Sequence, residues 1–72
     1  MNISLSQTIR SRREQLSVDQ KTLARLSGVS LHALSDLETG KGNPTLSTLS
    51  KVLDPLGLEL RIGLKSTESD HA

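Results

Sequence analysis

The stretch from Gln20 to Lys41, QKTLARLSGVSLHALSDLETGK, constrains the fold of this 72-residue chain more than any other. It reads as two short amphipathic helices separated by a four-residue break, with small residues where two helices must cross closely. Ala24 sits on the first helix, and Gly28 follows four residues later in the break. Val29, Leu34 and Leu37 then supply an apolar stripe on the second helix. That layout is a helix-turn-helix, in which one helix lies across the DNA backbone and the next enters the major groove. DNA is therefore the first partner to consider.

The chain length predicts one domain, near the lower limit at which a single core holds a chain folded. Fourteen leucines, three isoleucines and three valines supply the apolar material, and there is no Phe, Tyr or Trp. Small aliphatics suit a compact bundle of short helices and leave little margin, so further burial through dimerisation is expected. The absence of cysteine excludes disulfide staples and thiolate metal sites. No apolar run reaches the length of a membrane span and nothing resembles a signal peptide, so a cytoplasmic, nucleoid-associated location is expected.

Net charge is only +1, which does not describe an indiscriminate polycation. Its distribution says more. Arg10, Arg12 and Arg13 cluster on the first predicted helix, Lys21 and Arg25 lie on the second, and Lys41 follows the third, while Glu68 and Asp70 sit in the tail. Clustered bases on a mildly charged domain fit a focused phosphate-binding face.

Four helices are legible, giving a mainly α fold of four to five helices. The first is expected from about residue 5 to residue 15, with a Ser4–Gln7 capping box and Leu5, Ile9 and Leu16 near one face. Asp19 caps the second, on which Leu23 and Leu26 face inward, and Gly28 ends it by tolerating the left-handed conformation. Ser30 caps the third, which stops near Thr39-Gly40. Thr45 caps the fourth, whose Leu46, Leu49, Val52 and Leu53 repeat at helical spacing. Pro55 disfavours helical geometry at Asp54, so the helix should end there, and Gly57 marks a second break.

Beyond Gly57 the period changes. Leu58, Leu60, Ile62 and Leu64 alternate with Glu59, Arg61, Gly63 and Lys65, as in a strand. No other segment reads this way, and a lone strand leaves its backbone donors and acceptors unpaired. The simplest partner is the same strand of a second copy, antiparallel across a two-fold axis. Leu58, Glu59, Leu60, Arg61, Ile62 and Leu64 are then the dimerisation residues, with Glu59 and Arg61 facing each other as opposite charges. The competing expectation is an extension packed, unpaired, on its own helices. Residues 66–72, STESDHA, carry no core signal and are expected to form a disordered tail. The organisation expected is a DNA-binding domain over 1–57, a dimerisation strand over 58–65 and the tail over 66–72.

Ile9, Arg13, Gln20, Leu23-Ala24, Gly28-Val29-Ser30, Leu34, Leu37-Glu38 and Gly40-Lys41 stand at fixed spacings. On these positions residues 5–56 resemble the Cro/C1-type (XRE) helix-turn-helix regulators of bacteria and phages. One departure is Ser27, where many such units carry a larger apolar residue. The resemblance implies that Gln20 bonds phosphate and braces the start of the reading helix. It also places Ser30, Leu31, His32, Ser35 and Asp36 on that helix's exposed face. Ser30 would bond phosphate while capping the helix, and Leu31 would meet a thymine methyl. His32 and Ser35 rank above Asp36 as base readers, because a carboxylate near phosphates is repelled unless it accepts from a cytosine amino group. Lys41 and Lys21 are expected phosphate ligands. The resemblance further implies that Arg13 meets Glu38, tying the reading helix to the scaffold, and that Arg13 also approaches phosphate.

A helix-turn-helix followed by LGLELRIGL is similar to antitoxins of the HipB type, small dimers whose C-terminal strands pair. That likeness implies an autoregulating repressor of a toxin–antitoxin operon, bound to a palindromic operator and to a HipA-like kinase toxin. The alternatives are a free-standing phage or plasmid repressor, a restriction-system controller, or a protein-binding adaptor that uses the fold without DNA. An enzyme is the weakest reading. The only histidines are His32 and His71, there is no glycine-rich phosphate loop, and the eleven serines have no base beside them. No cofactor, metal site, membrane partner or small-molecule substrate is expected.

Overall fold

A computed structural model describes residues 3–64. Its elements are α1 (Ile3–Gln15), α2 (Gln20–Ser27), α3 (Leu31–Thr39), α4 (Leu46–Leu53) and a 3-10 turn, Asp54–Leu56. The fold is mainly α, as expected. The expected tail, residues 66–72, and Lys65 lie outside the described residues.

Local chemistry sets the boundaries. Asp19, Ser30 and Thr45 are extended residues whose side chains accept from the backbone N–H of Thr22, Ala33 and Thr48, which satisfies first-turn donors that no helical carbonyl reaches. At the other ends one device recurs. A residue of positive φ lets the next N–H turn back to a carbonyl of the last turn: Val29 to Ala24, Lys41 to Asp36 and Leu58 to Leu53. Glycine supplies the positive φ at all three. After α1 the same closure, Val18 N–H to the Arg13 carbonyl at 3.2 Å, is made around Ser17 at φ 57°, a conformation that a side chain disfavours. The start of α1 differs from expectation. It begins at Ile3, so Ser4 lies inside the helix and the Ser4–Gln7 capping box does not form its boundary.

The core is aliphatic: Ile9, Leu23, Ala24, Leu34, Leu37, Leu49, Val52, Leu53 and Leu56, with Leu5, Val18, Val29 and Leu58 packed at its edge. Helix α3 packs on α1 and α2, and α4 packs on α2 and the 3-10 turn. Three expected core positions are corrected. Leu26 is 62% exposed and Leu46 68%, because each short helix buries a narrow arc, set on α2 by Leu23, Ala24 and Ser27 and on α4 by Leu49, Val52 and Leu53. Leu16 lies in the turn that closes α1 and is also largely exposed. Conversely Leu56, which periodicity passed over, is 1% exposed. Pro55 ends the α-helix and continues it as one 3-10 turn, swinging Leu56 inward. Ser27 occupies a buried, apolar position, and its Oγ has no hydrogen-bond partner among the described residues.

Residues 58–64 take no regular structure in the described chain. The other described elements are all helical, so the described residues contain no sheet edge for them to join. Only Leu58 packs on the core, while Ile62 and Leu64 are fully exposed. The competing expectation, an extension packed on its own helices, therefore holds for Leu58 alone.

Candidate nucleic-acid interface

The position of α3 is set by one buried carboxylate. Glu38, in its last turn, has a side chain 1% exposed. Its Oε2 accepts from Arg13 Nε at 2.7 Å, and its Oε1 from Arg13 NH2 and Gln20 Nε2, both at 3.0 Å. Arg13 NH1 donates to the Val18 carbonyl at 2.9 Å. One carboxylate thus joins α1, the start of α2 and the end of α3. Hydrogen bonding to Glu38 holds the Arg13 pKa above its ordinary value, against the lowering effect of burial. The forked guanidinium matches a carboxylate at two points, which fixes direction as well as distance.

Arginines counted as a basic cluster are therefore largely directed inward. Each guanidinium nitrogen of Arg13 has an acceptor within the fold, and Arg12 Nε donates to the Leu56 carbonyl at 2.9 Å. Both side chains are half-buried, whereas Arg10, Lys21, Arg25 and Lys41 are exposed. The exposed positive charge is narrower than composition implied. Gln20 braces the reading helix, but at its C-terminal end through Glu38 rather than at its start.

Ser30, Leu31 and His32 are exposed at the N-terminal end of α3, and Ser35 and Asp36 are half-exposed further along it. The Ser30 cap uses an oxygen lone pair to accept from Ala33 N–H at 3.0 Å, so its O–H remains available as a donor. His32 Nε2 lies 3.4 Å from Asp36 Oδ2, one helical turn on, an ion pair whenever the imidazole carries its second proton. Their i, i+4 spacing is the signal in the sequence that pairs them. At the far end of α3, a groove of about 300 Å³ is lined by Asp36, Lys41, Asn43, Thr45 and Thr48. Before α2, the backbone N–H of Thr22 and then its side chain hold the exposed Asp19 carboxyl below the usual carboxylate range. Among the described residues no cluster of His, Cys, Asp or Glu suits a metal ion, and no helix is long and apolar enough to cross a membrane. The face carries exposed polar groups, the Ser30 hydroxyl and the His32 imidazole, beside the exposed Leu31, an arrangement suited to contacts with a groove and its phosphates.

A helix-turn-helix family model matches residues 9–62. An HTH-type transcriptional regulator of Haemophilus influenzae is 40% identical over 62 residues, covering 86% of this chain and 63% of its own length. The ImmF control region 10 kDa protein of Bacillus phage phi105 is 34% identical over 64 residues, 89% of this chain and 70% of that protein. The chain thus spans less than two thirds of the Haemophilus relative. Among solved structures, the restriction-modification controller protein C.AhdI from Aeromonas hydrophila superposes with a TM-score of 0.74 at 30% identity, covering 79% of this chain and 86% of that one.

Proposed function

We propose, for a chain that belongs to the Cro/C1-type helix-turn-helix family, that it is a sequence-specific DNA-binding transcriptional repressor acting as a homodimer. The observation that carries the reading is the Glu38 clamp. A buried carboxylate joined to α1 and α2 gives α3 a fixed orientation while Leu31 and His32 face outward. In this reading Ser30 donates to phosphate, and Leu31 meets a thymine methyl. His32 and Ser35 read base edges, with Asp36 holding the imidazole rather than touching DNA. Lys21, Lys41 and the remaining Gln20 amide proton contact the backbone, and Arg13 serves the scaffold.

Pairing of residues 58–64 between two copies supplies the dimer and the two-fold symmetry of the operator. Half-sites then lie about one helical turn, 34–36 Å, apart or a multiple of it. Two regulatory settings fit. Similarity to C.AhdI, a restriction-modification controller, and to a phage control-region protein favours a free-standing regulator. The alternation LGLELRIGL favours a HipB-type antitoxin with a kinase toxin as second partner. A kinase-like reading frame immediately downstream decides for the antitoxin, and its absence for the regulator.

Mobility shifts and footprinting on the DNA upstream of its own gene test the core reading. Protection of two symmetric half-sites is expected, with affinity falling steeply as salt rises. Lys41→Ala should weaken all sequences alike and reduce the log–log salt slope by about one. No binding at low salt would leave the protein-binding adaptor as the better reading. A chain ending at Leu58 should be monomeric with much weaker operator affinity; an intact dimer would place the interface elsewhere.

A further inference from the structure

Helix α1 borders a groove that the DNA-binding reading leaves unused. Its volume is about 600 Å³, and it is lined along the helix by Gln7, Thr8, Ser11, Arg12 and Gln15, with Gly57 across from them. Successive helical residues are about 100° apart, so Ser11 and Gln15 each stand about 160° from Arg13 around the axis. Arg13 is turned to Glu38. The groove therefore lies on the side of α1 away from the clamp that holds the reading helix.

The one cation in the groove is held in place without being used up. Arg12 Nε donates to the Leu56 carbonyl at 2.9 Å, which fixes the guanidinium. Its NH2 lies 3.6 Å from where a Cβ on Gly57 would be, so the wall there brings no side chain across it. Arg13 commits all three nitrogens to acceptors of the fold. Arg12 commits Nε, and NH1 and NH2 form the end-on fork that matches the two oxygens of a carboxylate. No acidic side chain is among the residues that line the groove. Pinning the 3-10 turn needs one donor, and the fork is surplus to it.

Beside that fork runs a row of neutral polar groups. Gln7, Ser11 and Gln15 are all exposed and stand four residues apart, about 6 Å along the axis. In an extended chain, groups on one side recur every second residue, about 6.6–6.8 Å. The two repeats stay nearly in step over the distance from Gln7 to Gln15, about 12 Å, which about four to five extended residues span. Amide and hydroxyl side chains both donate and accept, so the row suits the alternating carbonyls and N–H groups of a peptide backbone.

We propose that this groove docks an extended segment of a partner protein that carries one acidic residue within an otherwise uncharged stretch. The carboxylate takes the Arg12 fork, and the backbone lies along Gln7, Ser11 and Gln15. Because the groove and the reading helix are on different sides of α1, the partner docks on a chain already bound to DNA. The proposal stands independently of the DNA-binding reading.

The test is an NMR titration of the full chain at low salt, where ionic contacts are least screened, with the peptide acetyl-Ala-Ala-Glu-Ala-Ala-amide. Shifts are expected at the side-chain amides of Gln7 and Gln15 and at Arg12 Nε–H. The same peptide with Gln in place of Glu should bind about tenfold more weakly. Arg12→Lys keeps the charge and a donor for the Leu56 carbonyl but loses the fork, and should also weaken binding about tenfold. Thr8→Glu, one helical turn before Arg12, supplies the fork with a carboxylate from α1 itself. It should block the peptide while leaving the circular dichroism spectrum unchanged. Equal binding of the Glu and Gln peptides, or undiminished binding by Arg12→Lys, overturns the proposal. Sodium acetate giving the same shifts at the same concentrations also overturns it, reducing the site to an adventitious ion only. So does the absence of any shift up to about 10 mM peptide. Operator binding is read separately by mobility shift, so failure of one reading leaves the other standing.

Discussion

Arg13→Ala isolates the contribution of the clamp. Glu38 is almost wholly buried and takes three hydrogen bonds, two from Arg13 at 2.7 and 3.0 Å and one from Gln20 at 3.0 Å. The substitution leaves that carboxylate with Gln20 alone and removes the bond to the Val18 carbonyl. Removing one partner of a buried pair costs about 3–5 kcal/mol, chiefly because the other charge stays desolvated. A single-core domain of this size has about 3–5 kcal/mol in total, and per-residue averages put the upper bound near 11 kcal/mol. The variant should therefore be largely unfolded at 25 °C if the domain has about 3–5 kcal/mol, and even at the upper bound should lose about a quarter to a half of its urea midpoint. With no aromatic residue in the chain, the assay is far-UV circular dichroism through a urea titration. A companion variant, Arg13→Met/Glu38→Leu, replaces both charges with apolar groups and should recover most of the loss, since such exchanges are often neutral or stabilising. Refutation takes either of two forms. One is an Arg13→Ala variant that unfolds within about 1 kcal/mol of the natural chain; the other is a double variant no more stable than the single. A well-folded Arg13→Ala that binds DNA poorly would make Arg13 a DNA ligand rather than a scaffold residue.

Ser27→Ala should stabilise the domain by about 1 kcal/mol in the same assay, because it removes a buried hydroxyl whose desolvation no hydrogen bond offsets. Ser17→Gly should also stabilise, by up to about 1 kcal/mol, by relieving the left-handed residue that closes α1; a loss of stability would show that the Ser17 side chain has a partner of its own. Asp19 should titrate below its ordinary midpoint of about 3.9 when followed by carboxyl NMR shifts. Because its folded pKa is depressed, its contribution is complete above the unfolded value and fades as pH falls through the folded one. Asp19→Asn should therefore cost stability at neutral pH, where the contribution is complete, with the difference from the natural chain closing as pH falls below about 4 and the acid side of the profile correspondingly flatter.

Nearly every feature legible in the sequence is local. Asp19, Ser30 and Thr45 cap because each side chain reaches an N–H three residues on, and Gly28 and Gly40 stop helices because the turn needs positive φ. These interactions close within one or two turns, so a short window of sequence contains both partners. Core membership was less legible, since period alone cannot say how wide an arc a neighbour covers. Leu26 and Leu46 share the apolar period yet lie beyond the contact, while Leu56 enters the core through the 3-10 turn that Pro55 starts.

The arginines mark the boundary most clearly. Arg12 and Arg13 are adjacent, look alike as members of a basic cluster, and diverge by about 100° around α1. One reaches the carbonyl of Leu56, 44 residues away, and the other Glu38, 25 residues away. Resemblance to a family paired Arg13 with Glu38; no pattern in the chain paired Arg12 with Leu56. Helix α1 has few apolar residues, with Ile9 in the core and Leu5 at its edge, and these two guanidiniums add long-range hydrogen bonds to Leu56 and Glu38. By itself the sequence determined where α2, α3 and α4 begin and where the helices end, which segment has the reading-helix pattern and where the period changes to that of a strand. Tertiary structure decided which charges face solvent and which lock α3 in place. A charged side chain's role depends on the dielectric and partners around its tip, and only the packed chain brings those together.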